Sequence, residues 1–167
     1  LLIIDGDSFA HRAYHALPKT IRRDGNKPAG AILGFANFLL RFYESENPPA
    51  VLGGWDTLDE PTYRHEALEA YQSGRVFDDE LVEQLGILPK FVAACGFTSA
   101  KAPGYEADDF LAAAVAREER LAGTCIVASG DRDSYQLASK RTTIAQPIRA
   151  GELARIRPAE VGERYGV

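Results

Sequence analysis

The sequence predicts an α/β fold, a three-layer sandwich built on a parallel sheet, and three observations lead to it. Short apolar runs of β character alternate with longer segments of helical period. Acidic residues fall just past the ends of those runs, where open parallel sheets bind their ligands. The third is size: 167 residues with 46% apolar content can close one sizeable core, so one domain is expected over 1–167.

The candidate strands are Leu1–Asp5, Ala50–Trp55, Phe97–Lys101, Thr124–Ala128 and Thr142–Gln146, each short and mostly apolar or β-branched. Between them the clearest helix runs from about Ala29 to Tyr43, where Ile32, Leu33, Phe35, Ala36, Leu39, Leu40 and Tyr43 recur near helical spacing before Asn47-Pro48-Pro49 stops it. Further helices are predicted near 81–94 and 106–121, and a helix-like stretch closes the chain around Val161–Tyr165. Two segments are less regular: the basic turn Arg22–Lys27, and 58–79, which mixes charge, aromatics and glycine. Gly53-Gly54 is a poor strand sequence and predicts weak packing before Trp55.

Nothing resembles a signal peptide, and no apolar run is long enough to span a bilayer. Cys95 and Cys125 lack the close spacing of a zinc knuckle or redox pair and sit among apolar neighbours, so both are expected to be buried free thiols. A reducing, cytoplasmic setting follows, and a monomer is expected. The chain opens without Met and reads as part of a longer protein.

Seven carboxylates carry the chemistry. Asp5 ends the first strand, Asp56 the second, and Asp131 and Asp133 follow the fourth in Ser129-Gly130-Asp131-Arg132-Asp133. Glu106, Asp108 and Asp109 open a helix after Pro103-Gly104-Tyr105, with Glu106 and Asp109 on one helical face. Each alone reads better as a turn former or helix cap. Together they repel one another unless cations compensate, and hard oxygen ligands suit Mg²⁺ or Mn²⁺ rather than zinc. Setting those seven charges aside moves the formal net charge from −5 to +2, which removes the apparent conflict with binding phosphate.

Four blocks in order give the sequence a specific resemblance to the 5′ nuclease domain attached to bacterial DNA polymerase I, a family related to flap endonucleases. They are the run from Asp5-Gly6-Asp7-Ser8 to Leu17-Pro18; Thr62-Tyr63-Arg64-His65-Glu66 with Glu69-Ala70-Tyr71; Pro103–Asp109; and Gly130–Leu137. The resemblance spans nearly the whole chain. It implies a resolvase-like, PIN-like fold and a two-metal phosphodiesterase site. The implied substrates are DNAs with a free 5′ strand or flap, RNA primer–DNA hybrids among them. It assigns Asp5, Asp56, Glu106 and Asp108 to a first metal, with Asp109, Asp131 and Asp133 reaching toward a second. It makes 58–79 an arch over the 5′ strand, with Arg75 acting at the phosphate and Arg12, Tyr63, Arg64, Tyr71 and Gln72 as further DNA contacts. Aromatics interleaved with cations suit single-strand binding.

Two departures qualify that transfer. Gln72 stands where these nucleases commonly carry a lysine near the scissile phosphate, and the family's helix-three-turn-helix segment lies beyond Val167. A DNA-binding domain that has lost activity is therefore the alternative. A haloacid-dehalogenase-like phosphatase, with Asp5 as nucleophile and Asp7 as acid, is a weaker one, because it leaves Glu106, Asp108 and Asp109 without a role. His11 and His15 share a helix face, but no further ligand completes a zinc set.

Overall fold

Strand β1 (Leu2–Asp5) is buried along its whole length, and its alternation separates two cores. Leu2 and Ile4 enter one hydrophobic cluster and Ile3 the other, as the two-residue period requires of a strand covered on both faces. The computed structural model describes residues 1–58, 60–64, 77–148 and 152–166. After β1 come α1 (Gly6–Ala16), the ribbon strands β2 (Arg22–Arg23) and β3 (Lys27–Pro28), α2 (Gly30–Glu46) and β4 (Val51–Gly54). Then follow α3 (Asp79–Leu85), α4 (Leu88–Ala94), β5 (Thr98–Ala100), α5 (Ala107–Arg120), β6 (Cys125–Ala128), β7 (Thr142–Pro147), β8 (Leu153–Ile156) and α6 (Pro158–Tyr165).

The main sheet has the order β5-β4-β1-β6-β7-β8, parallel throughout except where β8 runs antiparallel to β7. Helices α1 to α4 cover one face through Phe9, Phe35, Phe42, Leu81 and Leu88. The opposite face carries Leu111 and Val115 of α5, with Val161 of α6 packed against them. The three-layer α/β expectation is met. All five predicted strands form, the first four trimmed at their ends and the fifth running one residue further, to Pro147. The helix predicted near 81–94 is two helices: Pro89 lacks an N–H and sits in the first turn of α4, where one continuous helix would need that donor. Strand β8 escaped notice because four residues with an arginine among them make too short a pattern. The basic turn is a two-stranded ribbon around a 3₁₀ turn, Asp24–Asn26, with Gly25 in the left-handed region.

The expected weakness at Gly53-Gly54-Trp55 is corrected by the packing. Strand β4 pairs in register on both sides, Gly54 with Asp5 and with Ala100. A Cβ at Gly54 would stand 2.7 Å from Leu111 Cδ1 and 3.1 Å from the Ala107 carbonyl, so glycine is what lets α5 lie against the strand. The lost side-chain volume is replaced by Trp55, which is 1% exposed and donates its indole N–H to Ser99 Oγ at 3.0 Å. That ring also occupies the space beside Gly6. Both cysteines are free; Cys125 is buried, but Cys95 is exposed, because it falls in the turn that closes α4. Among the described residues no helix is long and apolar enough to cross a membrane.

Helix α2 begins at Gly30 without a side-chain cap of its own, and a buried glutamine from α3 takes that role. Gln84 Oε1 accepts the Ala31 N–H at 2.8 Å and the Ile32 N–H at 3.3 Å, while its amide donates to the Glu80 carbonyl at 2.9 Å. Gln84→Leu strands a buried donor at Ala31 and a partly buried one at Ile32, which costs about 2 kcal/mol. A lower midpoint in urea unfolding, with unchanged m-value, is the expected result; an unchanged midpoint would remove this cap from the account.

Candidate active site

Three parallel strands end on the same side of the sheet, and each delivers a carboxylate there. Asp5 closes β1, Asp56 stands two residues past β4, and Asp131 and Asp133 lie in the turn after β6. Glu106 and Asp108 reach the same place from the start of α5. A cleft of about 630 Å³ results, lined by Asp5, Asp7, Ser8, His11, Asp56, Glu106, Asp108, Asp131, Arg132 and Asp133.

Local hydrogen bonds hold these groups, and several of the acids cap as well as line the cleft. Asp5 caps α1 by accepting the Ser8 N–H at 3.0 Å, and its second oxygen accepts the Ser129 hydroxyl at 2.6 Å. Ser129 in turn accepts the Asp131 N–H at 3.0 Å, and Ser8 Oγ accepts the Gly130 N–H at 3.0 Å, so the turn after β6 is tied to β1 and α1. Asp131 accepts the Asp133 N–H at 2.9 Å. Asp56 Oδ1 accepts the N–H of Ala107 at 2.8 Å, joining the end of β4 to the start of α5.

Six of the seven predicted carboxylates line the cleft. Asp109 does not. Its carboxylate accepts the Glu106 N–H at 2.9 Å and is gripped by both terminal nitrogens of Arg64, each at 2.9 Å, with the Tyr63 hydroxyl donating at 3.1 Å. Arg64 also lies 3.4 Å from Glu106, which accepts the Thr62 hydroxyl at 3.1 Å. Asp109 is thus a holder of Arg64 and of the α5 terminus. Of the predicted DNA contacts, Arg64 is engaged in this way, its guanidinium 4.7 Å from the half-exposed Tyr63 ring, and Arg12 donates to the Ile148 carbonyl. Tyr71, Gln72 and Arg75, with most of the arch segment, lie outside the described residues.

The electrostatics of the cleft are those of crowded acid. Burial pushes the Asp5 carboxyl up to about 7 against the opposing hydrogen bonds from Ser129 and Ser8, with Asp108 and Asp56 adding to the rise. Burial raises Asp7 as well, followed by the charge of Asp56. Asp108 goes up to about 6 through burial and then the charges of Asp131 and Asp56. Asp109 moves the other way: burial alone would raise it, but the hydrogen bonds from Arg64, Glu106 and Tyr63 outweigh that. The donors are all oxygens, as hard divalent cations require. Among the described residues, no three acidic, histidine or cysteine side chains already stand at the spacing of one ion's ligands.

The residue that sequence reasoning missed is Asp7. It is 6% exposed, lines the cleft, and accepts the Asp56 N–H through Oδ2 at 2.8 Å. Its only signal was the Asp-Gly-Asp spacing, which fits a phosphatase nucleophile motif equally well. That phosphatase reading leaves Glu106 and Asp108, which line the same cleft, without a role.

A parallel sheet with an acidic cleft at its carboxyl edge and helices on both faces defines a resolvase-like α/β domain of nuclease type. The chain belongs to the family described as the 5′-3′ exonuclease, N-terminal resolvase-like domain, whose model matches residues 1–166. It is 36% identical over 168 residues to the thermostable DNA polymerase I of Thermus thermophilus, covering 100% of this chain and 19% of that protein. Among solved structures it resembles the T5 5′-exonuclease with bound divalent metal ions (zinc), at TM-score 0.73 and 19% identity, over 100% of this chain and 61% of that one. It also resembles a T5 flap endonuclease complex with DNA and metal ions, at TM-score 0.72 and 18% identity, over 99% of this chain and 60% of that one.

Proposed function

We propose that this domain hydrolyses DNA phosphodiester bonds as a metal-dependent 5′-3′ exonuclease and flap endonuclease. The observation that carries the proposal is the cleft at the carboxyl edge of the sheet, lined by Asp5, Asp56, Glu106, Asp108, Asp131 and Asp133. Acids from the end of β4, the start of α5 and the turn after β6 line it together, and such an arrangement repels itself unless protons or cations compensate. The family and the metal- and DNA-bound relatives support the same reading.

Asp5, Asp56, Glu106 and Asp108 are the residues to hold a first divalent ion of the Mg²⁺ or Mn²⁺ class, with Asp131 and Asp133 offering a second position. Such ions supply activation of a water for in-line attack and neutralise charge on the phosphate oxygens. The chain's own part is positioning. Ser129 and the Ser8 N–H fix both oxygens of Asp5, Asp56 is fixed to α5 through Ala107, and Arg64 with Asp109 braces the helix that carries Glu106 and Asp108. The half-exposed Tyr63, stacked by Arg64, offers the incoming strand an aromatic face with a cation behind it. A DNA with a 5′ single strand or flap is the substrate, RNA primer–DNA hybrids are a further one, and Arg75, Tyr71, Gln72 and Arg12 complete the contacts.

Cleavage of a 5′-labelled flap DNA with Mg²⁺ or Mn²⁺ tests this. Cutting that needs metal and disappears in Asp131→Ala supports the assignment. Tight flap binding with no cutting under either metal would favour the alternative, a DNA-binding domain that has lost its activity.

A further inference from the structure

The role of Asp7 goes beyond the carboxylate set the family resemblance assigned. Asp7 is the second residue of α1, and burial leaves its carboxylate little access to water. Its Oδ2 accepts the N–H of Asp56 at 2.8 Å, across 49 residues of sequence. Asp56 in turn accepts the N–H of Ala107, the first residue of α5, at 2.8 Å. On its other side the backbone just past β4 is pinned by the Trp55 N–H, which donates to the Ala100 carbonyl at 3.0 Å. Asp56 therefore stands at a junction where β1–α1, β4 and α5 meet, and Asp7 adds to the β1–β4 pairing a side-chain contact from α1 to the backbone just past β4.

We infer that Asp7 is a positioning residue that sets the Asp56 carboxylate, and through it the start of α5, in the geometry the cleft needs to hold its cation. The inference rests on the metal-dependent reading above. The hydrogen bond uses only an acceptor oxygen, so asparagine can replace aspartate in it, whereas alanine cannot. Burial and then the charges of Asp56 and Asp5 oppose the charge of Asp7, and Lys101 offsets only part of that. What the side chain contributes is the fixed N–H of Asp56, and groups that orient a metal ligand in this way typically govern affinity by about 10- to 100-fold.

The experiment compares wild type, Asp7→Asn, Asp7→Ala and Asp108→Asn of the 167-residue chain. Mn²⁺ affinity is read by titration calorimetry, and the Asp56 amide by ¹⁵N-resolved hydrogen exchange without metal. Asp7→Ala is expected to weaken Mn²⁺ binding by about tenfold and to speed exchange at Asp56. Asp7→Asn is expected to keep affinity within about threefold of wild type, with the amide still protected. A folded Asp7→Asn that binds as poorly as Asp7→Ala would overturn the inference and make the charge itself a ligand. Unchanged affinity and exchange in Asp7→Ala would overturn it as well. If Asp108→Asn also binds Mn²⁺ like wild type, the metal site itself is misplaced, a separate failure from that of Asp7.

Discussion

Asp108→Asn is expected to lower metal-dependent flap cleavage by about a thousandfold and, in the same protein, to raise the melting temperature measured in EDTA. The loss follows from removing one charged oxygen from the cleft, where several kcal/mol of stabilisation at the phosphate correspond to that factor. The gain follows from the same carboxylate's surroundings. Burial disfavours its charge, and Asp131, Asp56 and Asp133 repel it, so a neutral amide of equal size relieves the folded chain of a strain that it keeps only for function. Single-turnover cleavage and thermal unfolding on one preparation check both halves. A variant both inactive and less stable would mean that Asp108 is a structural acid, held by partners other than a cation.

The distinction between cap and ligand, which the sequence tilted toward the cap for each acid taken singly, dissolves once the contacts are seen. Asp5 and Asp131 cap their turns with one oxygen and still line the cleft. These bonds hold each carboxylate in place at the cleft, which makes the bland role a condition of the catalytic one. Asp109 is the exception. The helical spacing that placed it beside Glu106 held, but a 100° rotation per residue cannot say that Arg64, 45 positions earlier, turns the carboxylate aside.

That difference marks what was legible. Strand ends and the acids after them were readable because alternation and turn chemistry are local, and the start of α5 announced itself through proline, glycine and three acids. The contacts that assemble the site are not local: Asp7 with Asp56, Ser129 with Asp5, and Gln84 with the start of α2 each join residues dozens of positions apart. The Gly53-Gly54-Trp55 segment misled for the same reason. Its glycines look like weakness until α5 is found lying against one of them and the Trp55 ring filling the space beside Gly6.

The metal-free protein is expected to lose stability as pH rises from 5 to 8, the reverse of what a chain of salt-bridged carboxylates would do. Asp5 sits near 7 in the folded chain against an ordinary value of 3.8, because burial disfavours its charge, and Asp7 is raised in the same direction. A carboxyl raised on folding binds its proton more tightly in the native state. Its contribution is therefore complete below the ordinary value and is lost as pH climbs through the raised one. Between pH 5 and 7 Asp5 alone accounts for about 2 kcal/mol. Asp109, Asp78 and Glu119 are lowered on folding, so their stability is lost only below the ordinary carboxyl range and leaves this window untouched. In EDTA the melting temperature is expected to fall by roughly 10 °C across the window. With saturating Mn²⁺ the fall should shrink, since a cation stabilises the ionised acids and drives off their protons. Calorimetry in two buffers of different ionisation heat would show that release directly. A melting temperature in EDTA that is flat or rising over this range would mean that Asp5 and Asp7 ionise freely, and that the cleft is more open to water than its packing implies.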